Sequence, residues 1–231
     1  EAYYRRCLSI IDDIEDAEGA FAGGKPKGLL RVNAHGTLAR QFVFPHLPLF
    51  LDTYPDIYIY LSEGDRLVAL VREGFDCVLR VGIPKDSDLR ARRVTKLPEV
   101  IVAAPSYIER YGLPDHPQNL ISHRMVGFRP TGSNDPLPIE CRIEGKLERI
   151  MVPSILTVNG AENYVAAALL GLGIIQVPRY HVEKDLVEGR LIELLPDFPP
   201  DSLPVHILYP QNRQLSPRVR VFIDWIRTLF A

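Results

Sequence analysis

The stretch from residue 29 to residue 82 alternates short apolar runs with helix-compatible segments, and this alternation limits the possible folds more than any other feature of the chain. The apolar runs are rich in β-branched and aromatic residues and predict three strands: LLRVNA (29–34), IYIYL (57–61) and CVLRV (77–81). Helices are predicted between them over residues 37–54, capped by Thr37, and over residues 66–73, closed by Gly74. This β-α-β-α-β succession predicts a parallel, doubly wound sheet with right-handed crossovers.

A second alternation fills residues 100–200. Its predicted elements are, in order, the strand VIVAA (100–104), a short helix ending at Gly112, two strands around the turn Glu144-Gly145-Lys146, an apolar helix opened by Asn159 and the strand GIIQVP (173–178). A last strand, VHILYP (205–210), and a closing amphipathic helix over residues 217–230 need a sheet to join. We therefore expect two α/β units, near residues 28–98 and 100–200, with the chain passing between them more than once.

The charge balance argues against DNA binding by this chain alone. Its 27 basic and 29 acidic residues give a formal net charge of −2, whereas domains that hold phosphates unaided are usually markedly basic. The short basic clusters at residues 91–93 and 218–220 are expected to be solvated surface.

Other compositional features concern the cellular compartment. The chain has no apolar run near the roughly 20 residues that span a bilayer, and its first residues do not resemble a secretory signal. Its three cysteines lie far apart and indicate no disulfide framework. A cytoplasmic location without a membrane partner is therefore expected.

Residues 1–22 carry a heptad-like apolar stripe with acidic residues on the other side. The stripe consists of Tyr4, Cys7, Ile11, Ile14 and Phe21. Such a helix can pack on its own domain or on a partner chain, and three heptads do not decide between these alternatives.

Catalytic and metal-binding motifs are absent from the sequence. There is no G-x-S-x-G elbow, no H-E-x-x-H and no cysteine–histidine spacing typical of zinc sites. Gly171-Leu172-Gly173 follows a predicted helix and precedes a predicted strand, the reverse of the order in a dinucleotide-binding loop. We therefore expect no enzymatic activity, no cofactor and no bound metal.

Five segments resemble, in order and at similar spacing, the effector domain of LysR-type transcriptional regulators. They are GLLRVNAHGTLARQFVFPHLPLFLDTYPDI (28–57), LVALVREGFDCVLRVG (67–82), VAAPSYIERYGLPDHPQNLISHRMVGF (102–128), LTVNGAENYVAAALLGLGIIQVPRY (156–180) and SPRVRVFIDWI (216–226). Two positions depart from the family pattern: His35 stands where many relatives carry proline, and Ile139 where many carry an aromatic residue.

The resemblance implies an α/β fold of the periplasmic-binding-protein-like type 2, with two Rossmann-like lobes around a cleft. Residues 1–27 would be the C-terminal part of a linker helix with its connector, which favours the partner-chain alternative for the N-terminal stripe. Residues 28–100 and 204–231 would form the first lobe and residues 101–203 the second.

The implied function is that of an effector-sensing domain. A small molecule would bind between the lobes and alter the arrangement of a homodimer or tetramer, while DNA would be bound only through an N-terminal winged helix-turn-helix. The alternative is a secreted solute-binding protein with the same fold, serving a transporter.

Candidate effector-binding residues follow from where ligands bind in open α/β sheets, beyond the carboxyl ends of the strands. Helices that begin there favour an anion such as a carboxylate. The candidates are His35, Thr37, Leu38, Gly64, Asp65, Arg80, Gly82, Phe128, Arg129, Asn159 and Pro178.

Several of these candidates have a structural alternative. Thr37 can be a plain helix cap, His35 a hydrogen-bonded loop residue and Arg80 a structural partner near the lobe boundary. Arg129 can be solvated loop, whereas Asn159 is expected both to cap a helix and to reach the site. Asp65 would oppose an anionic ligand unless its charge were neutralised.

Overall fold

A computed structural model describes residues 25–64, 73–82, 89–211 and 215–230 of the chain. The helix predicted over residues 1–22 lies outside the described residues, as do the candidate Asp65 and all but the last residue of the helix predicted over residues 66–73. Gly74, which was predicted to close that helix, has a φ of +72°, the left-handed conformation that glycine adopts without a steric penalty.

Strands and helices follow one another along the described residues. The strands are β1 (Gly28–Ala34), β2 (Ile57–Glu63), β3 (Cys77–Val81), β4 (Leu89–Leu97), β5 (Glu99–Ala103), β6 (Met125–Phe128), β7 (Ile139–Ile143), β8 (Lys146–Ile150), β9 (Ser154–Val158), β10 (Ile175–Pro178), β11 (Ile192–Leu194) and β12 (Leu203–Pro210). The α-helices of more than one turn are α1 (Leu47–Thr53), α2 (Pro105–Tyr111), α3 (Ala161–Leu169), α4 (Glu183–Val187) and α5 (Pro217–Thr228).

The first of two compact units consists of the chain up to Thr95 together with the chain from Pro204 onward. Its sheet has the strand order β2-β1-β3-β12-β4. β1 is parallel to β2 and β3, as predicted, whereas β12 is antiparallel to β3. The predicted parallel arrangement of the first three strands is therefore confirmed. The last strand, for which the sequence predicted no direction, joins this sheet antiparallel, because it enters directly from the second unit and does not follow a helical crossover on the sheet.

The segment between β1 and β2 is helical but is not one regular α-helix. An α-turn at Gly36–Leu38 passes into a π-helical stretch at Ala39–Val43 and a 3-10 turn at Phe44–His46 before α1. The helix type changes next to Pro45 and Pro48, because a proline nitrogen cannot donate the backbone hydrogen bond that would continue the preceding helix.

α1 and α5 pack together in the core of the first unit. The ring of Phe50 in α1 lies 5.7 Å from that of Phe222 and 4.6 Å from that of Trp225, both in α5. Val219, Ile223 and Ile226 complete the buried side of α5. These contacts anchor the far end of the helical segment that starts directly after β1.

The second unit comprises residues Lys96–Leu203. β5 lies between β10 and β11 and is antiparallel to both. β6 is parallel to β9, and Met125 of β6 also forms a parallel bridge with Ile174, directly before β10. The carboxyl ends of β6, β9 and β10 therefore lie at one edge.

Both faces of β5 are covered by apolar side chains. Val100 and Val102 belong to a cluster with Tyr164, Val165 and other residues of α3. Their neighbours in β5, Ile101 and Ala103, belong to a second cluster that includes Tyr107 of α2 and Ile139 of β7. This alternation between the two clusters is the period of a strand that is buried on both sides.

β7 and β8 form the hairpin that the sequence predicts. Its two turn residues, Glu144 and Gly145, have φ values of +48° and +79°. Positive φ at both central residues is the signature of a type I′ turn, which matches the twist of the paired strands.

Candidate functional site

In the first unit, the strand order places a switch point at the carboxyl ends of β1 and β3. From β1 the chain continues to β2 on one side, and from β3 it continues toward the opposite side of the sheet, where β4 lies. Ligands of open α/β sheets bind outside such a point. The predicted residues at or beside it are His35, Thr37, Leu38, Gly64, Arg80 and Gly82.

His35 and Thr37 lie directly after β1 and interact with each other. Nδ1 of His35 is 2.9 Å from the hydroxyl oxygen of Thr37. The prediction that Thr37 caps the helix is wrong, because Thr37 lies inside the first turn and the N-cap residue is His35, in extended conformation. Leu38 is fully buried, so it presents no surface to a ligand in this structure.

Arg80 is buried and bonded within the first unit. Its Nη2 donates to the side-chain oxygen of Asn33, and its Nη1 donates to the carbonyl oxygens of Leu79 (3.0 Å) and Asn33 (3.5 Å). Arg80 and Asn33 are only 7% and 3% exposed. These contacts favour the structural alternative for Arg80, because a buried guanidinium needs acceptors and Asn33 supplies two of them, joining β1 to β3.

An exposed charged pair lies at the end of β2. Arg40 Nη1 is 3.2 Å from Glu63 Oε1. A Cβ atom at Gly36 would lie 2.5 Å from Glu63 Oε2, so the Glu63 carboxylate packs against the start of the helical segment. Since both side chains are about half exposed, the pair contributes little to stability. The guanidinium of Arg40 thus lies half exposed at this edge, with its charge balanced by the Glu63 carboxylate.

Backbone hydrogen bonds fix the two candidate glycines. The N–H of Gly64 donates to the carbonyl oxygen of Ala34 (3.1 Å), and the N–H of Gly82 donates to that of Pro204 (2.8 Å). Nδ1 of His206 is 2.9 Å from the carbonyl oxygen of Gly82. β12 therefore adds a histidine next to the end of β3.

In the second unit, the four predicted residues lie at the edge formed by the ends of β6, β9 and β10. Phe128 ends β6, with its ring 5.2 Å from that of Tyr164 in α3. The N–H of Arg129 donates to the carbonyl oxygen of Val158 (2.8 Å), which makes Arg129 a neighbour of Asn159. Both of these side chains are exposed. Pro178 ends β10.

Asn159 does not cap α3. The N-cap residue is Gly160, because the helix begins at Ala161 and Asn159 lies one residue too early. The prediction of a capping role is therefore wrong, and the amide of Asn159 stays available at the exposed edge.

A largely buried carboxyl group lies beside Pro178. Glu99 pairs with Pro178 across β5 and β10, and its Oε2 accepts a hydrogen bond from Gln176 Nε2 at 2.7 Å. Gln176 Oε1 accepts in turn from the N–H of Glu140 at 2.7 Å. Burial raises the pKa of Glu99 from 4.5 to about 7, with the Gln176 bond opposing the shift and the charge of Glu140 adding to it. This edge therefore holds a carboxyl group that is partly neutral near pH 7.

Among the described residues, no group of three or more histidine, cysteine, aspartate or glutamate side chains is placed to hold a metal ion. No helix in the described part of the chain is long and apolar enough to cross a membrane. Gly171 and Gly173 lie between α3 and β10, the order that the sequence analysis used to reject a phosphate loop.

Five polar residues at these edges were missed by the sequence analysis: Asn33, Arg40, Glu63, Glu99 and His206. For Asn33, Glu99 and His206 the sequence held a signal, because each lies within or directly beside an apolar strand run, where a polar group needs a partner. Arg40 and Glu63 come together through a contact between elements that are distant in sequence.

A chain that leaves one α/β unit, completes a second and returns to the first defines the periplasmic-binding-protein-like type 2 class of receptor. The profile of the LysR substrate-binding domain matches residues 23–231. This chain belongs to the LysR substrate-binding domain family, and it is an effector-binding domain of a LysR-type transcriptional regulator.

Individual relatives agree with this assignment. The chain is 37% identical over 226 residues to the uncharacterized HTH-type transcriptional regulator YhjC of Escherichia coli K12, covering 97% of this chain and 76% of that protein. It is 32% identical over 234 residues to the HTH-type transcriptional repressor PA14_22550 of Pseudomonas aeruginosa, covering 100% and 73%. The regulatory domain of CrgA from Neisseria meningitidis superposes with a TM-score of 0.76 at 26% identity, covering 89% of this chain and 100% of that one.

These comparisons confirm the predicted family and the predicted fold class. Because the relatives are named transcriptional regulators and not transporter components or enzymes, the solute-binding alternative is not favoured. The lobe boundaries and the effector-binding residues stay predictions.

Proposed function

We propose that the switch point of the first unit binds a small anionic effector, of the carboxylate class, for a DNA-binding regulator. The observation that carries the proposal is the strand order β2-β1-β3, which opens a ligand position at the ends of β1 and β3. Thr37 offers a hydroxyl there, and Arg40 offers a cation that can donate two hydrogen bonds to a carboxylate.

The edge of the second unit, taken by itself, also carries groups that suit an anion. Arg129 and Asn159 expose a guanidinium and an amide, and Phe128 with Tyr164 forms an aromatic surface next to them. Since the Glu99 carboxyl group is partly neutral near pH 7, it opposes a bound anion less than an ordinary glutamate would.

Arg80 acts in this proposal through Asn33 and the strand ends that it joins, without touching the ligand. The contacts of its guanidinium with Asn33 and Leu79 keep it inside the first unit. Arg80→Ala would therefore perturb folding and binding together, and it is unsuitable as a test of ligand contact.

The test is thermal unfolding of the chain with benzoate and succinate, each compared with its neutral amide. A carboxylate that binds should raise the unfolding temperature by about 5–10 °C at a concentration 100-fold above its dissociation constant. Thr37→Ala and Arg129→Gln should reduce this ligand-induced shift, whereas the exposed Arg110→Gln on α2 should preserve it. Equal stabilisation by the neutral amides would contradict an anion site, and a shift unchanged in both site variants would contradict these residues.

We further propose a cytoplasmic homodimer or tetramer that binds DNA through an N-terminal winged helix-turn-helix. The relatives, of which this chain spans about three quarters, are HTH-type regulators, which supports this part of the proposal. The effector must bind two subunit arrangements with different affinity, because equal affinity would leave the equilibrium between them unchanged. Sedimentation velocity should therefore show a dimer or larger species, and the distribution of species should change when a carboxylate binds. A chain that stays monomeric with and without the carboxylate would contradict the proposed oligomer.

A further inference from the structure

Arginines from two elements that are distant in sequence lie on one surface of the first unit. Arg90 and Arg92 lie on β4, and Arg220 and Arg227 lie on α5. Asp224 of α5 links them: its Oδ1 is 3.9 Å from Arg92 Nη1 and 3.8 Å from Arg227 Nη1. We call these four arginines, with Asp224, the basic face.

The periods of the two elements explain why these side chains share a surface. Successive residues of a strand point to opposite faces, so Arg90 and Arg92 lie on the face that reaches α5 and Arg93 lies on the other. On α5, Arg220, Asp224 and Arg227 are spaced by four and three residues and fall on one side of the helix. All three are exposed, whereas Phe222, Ile223 and Ile226 on its other side are buried.

The basic face carries far more positive charge than the chain as a whole. It holds four guanidinium groups and one carboxylate, which lies near two of them, although the net charge of the chain is −2. Neither Arg90 nor Arg220 makes an ion pair with a described residue. Folding does not account for this concentration, because ion pairs between side chains as exposed as these contribute little to stability.

We propose that the basic face binds the phosphate backbone of duplex DNA, without reading base sequence. Guanidinium groups are well suited to phosphate oxygens, and exposed arginines without carboxylate partners keep their donors available for them. The proposal rests on the proposed function in one respect: the DNA near the sensing domain is the DNA that the whole regulator binds. It adds a second, weak contact, made by the sensing domain itself.

The small number of arginines sets how strong this contact can be. Each neutralised phosphate adds about 0.9 to the slope of log affinity against log salt. A contact of two to four phosphates is therefore weak and is lost at physiological salt, in agreement with the low net charge of the chain.

The experiment measures binding of the 231-residue chain to a labelled duplex of arbitrary sequence by fluorescence anisotropy, between about 20 and 150 mM NaCl. Arg90→Gln combined with Arg220→Gln should weaken binding and lower the salt slope by about 2. Asp224→Asn should tighten binding, because it removes the one carboxylate of the basic face.

The matched control removes the same charge elsewhere. Arg93→Gln combined with Arg110→Gln alters one exposed arginine on the opposite face of β4 and one in the second unit, and should leave the slope unchanged. Equal unfolding temperatures of all variants show that folding is intact, since every altered side chain is exposed. The effector-binding test with benzoate does not depend on these residues, so the two proposals can fail separately.

Three results would overturn the proposal. One is an equal loss of slope in the control and in the basic-face variant. Another is the absence of binding at the lowest salt concentration. The third is that the chain binds polyglutamate more tightly than DNA and that the same double variant loses this binding. That result would assign the basic face to an acidic polypeptide.

Discussion

Single polar side chains hold the two strand-end edges of this protein together, and each does so from a buried or half-buried position. Asn33 accepts from Arg80 between β1 and β3, and Gln176 connects Glu99 to the backbone of β7. In each unit the hydrogen bonds satisfy groups that would otherwise be costly to bury. At the residue scale, the protonation of Glu99 is the property that an experiment can isolate.

The buried carboxyl group of Glu99 should make the second unit less stable at high pH. Its folded-state pKa of about 7 lies above the ordinary value of 4.5. The folded state therefore holds a proton that the unfolded chain releases, and this contribution is full below about pH 4.5 and is lost as the pH rises through about 7. The shift corresponds to at most about 3 kcal/mol.

Glu99→Gln should remove this dependence, because a glutamine carries no charge and can still accept from Gln176. Urea unfolding at pH 5 and pH 8 should show a variant that is more stable than the natural chain at pH 8, by up to about 3 kcal/mol. Glu109→Gln, an exposed change on α2, should keep the natural pH dependence. A stability difference between Glu99→Gln and the natural chain that is the same at both pH values would show that Glu99 does not titrate in this range.

The candidate site was predictable from sequence only as far as strand ends could be located. His35, Gly82, Phe128 and Pro178 could be placed at strand ends because they end or follow apolar strands, and their contact with an effector stays a prediction. The two capping predictions failed, because polarity alone does not show which residue precedes the first helical turn: His35 and Gly160 occupy those positions, not Thr37 and Asn159. Whether Arg80 faced a ligand or the interior depended on Asn33, a partner 47 residues away.

At the scale of elements, the pattern of apolar residues predicted most of the buried strands and missed strands that are very short, such as β11, or largely exposed. β4 and β9 were not predicted, and most residues of both are exposed, so neither shows the apolar alternation of a half-buried strand. The basic cluster at residues 91–93 in β4 is surface, as predicted, but its position opposite α5 could not be read from the sequence. For the cluster at residues 218–220 the prediction of solvated surface is wrong, because Arg218 and Val219 lie on the buried side of α5 and only Arg220 is exposed. Local composition thus located the core and not the edges of the sheets.

The connection between α3 and β10 depends on one glycine. A Cβ atom at Gly173 would lie 2.6 Å from the carbonyl carbon of Met125 and 2.7 Å from the nitrogen of Val126. These backbone atoms cannot withdraw without breaking the hydrogen bond from Val126 N to the carbonyl oxygen of Ile174, at 3.0 Å. The resemblance to the family included this glycine, and the structure gives the physical reason for it.

Gly173→Ala should therefore destabilise the second unit by about 3 kcal/mol or separate β6 from β10. Gly160→Ala is the matched control, because the atom nearest to its added Cβ is 3.8 Å away and its φ is negative. That control should cost about 1 kcal/mol or less. Denaturant unfolding of both variants measures the loss in free energy of unfolding. Equal losses would show that the backbone around Gly173 can shift at little cost.

At the scale of the whole molecule, the chain builds its two units in different ways. The second unit is one continuous stretch, Lys96–Leu203, and both of its core clusters consist of residues from that stretch. The first unit is completed only by the residues after Leu203, which supply β12 and α5. β12 is an inner strand of the five-stranded sheet, between β3 and β4.

Truncation after Leu203 should therefore unfold the first unit and leave the second folded. Without β12, β3 loses a neighbour on one side, and without α5 the ring of Phe50 loses its contacts with Phe222 and Trp225. Loss of an inner strand together with a core helix exceeds the stability margin of a typical domain. Hydrogen exchange followed by mass spectrometry should show protection in residues 96–203 of the truncated chain, equal to that in the isolated fragment 96–203, and fast exchange in residues 28–64. Protection of β1 and β2 in the truncated chain would show that these parallel strands and their helical segment form a stable structure without the returning strand.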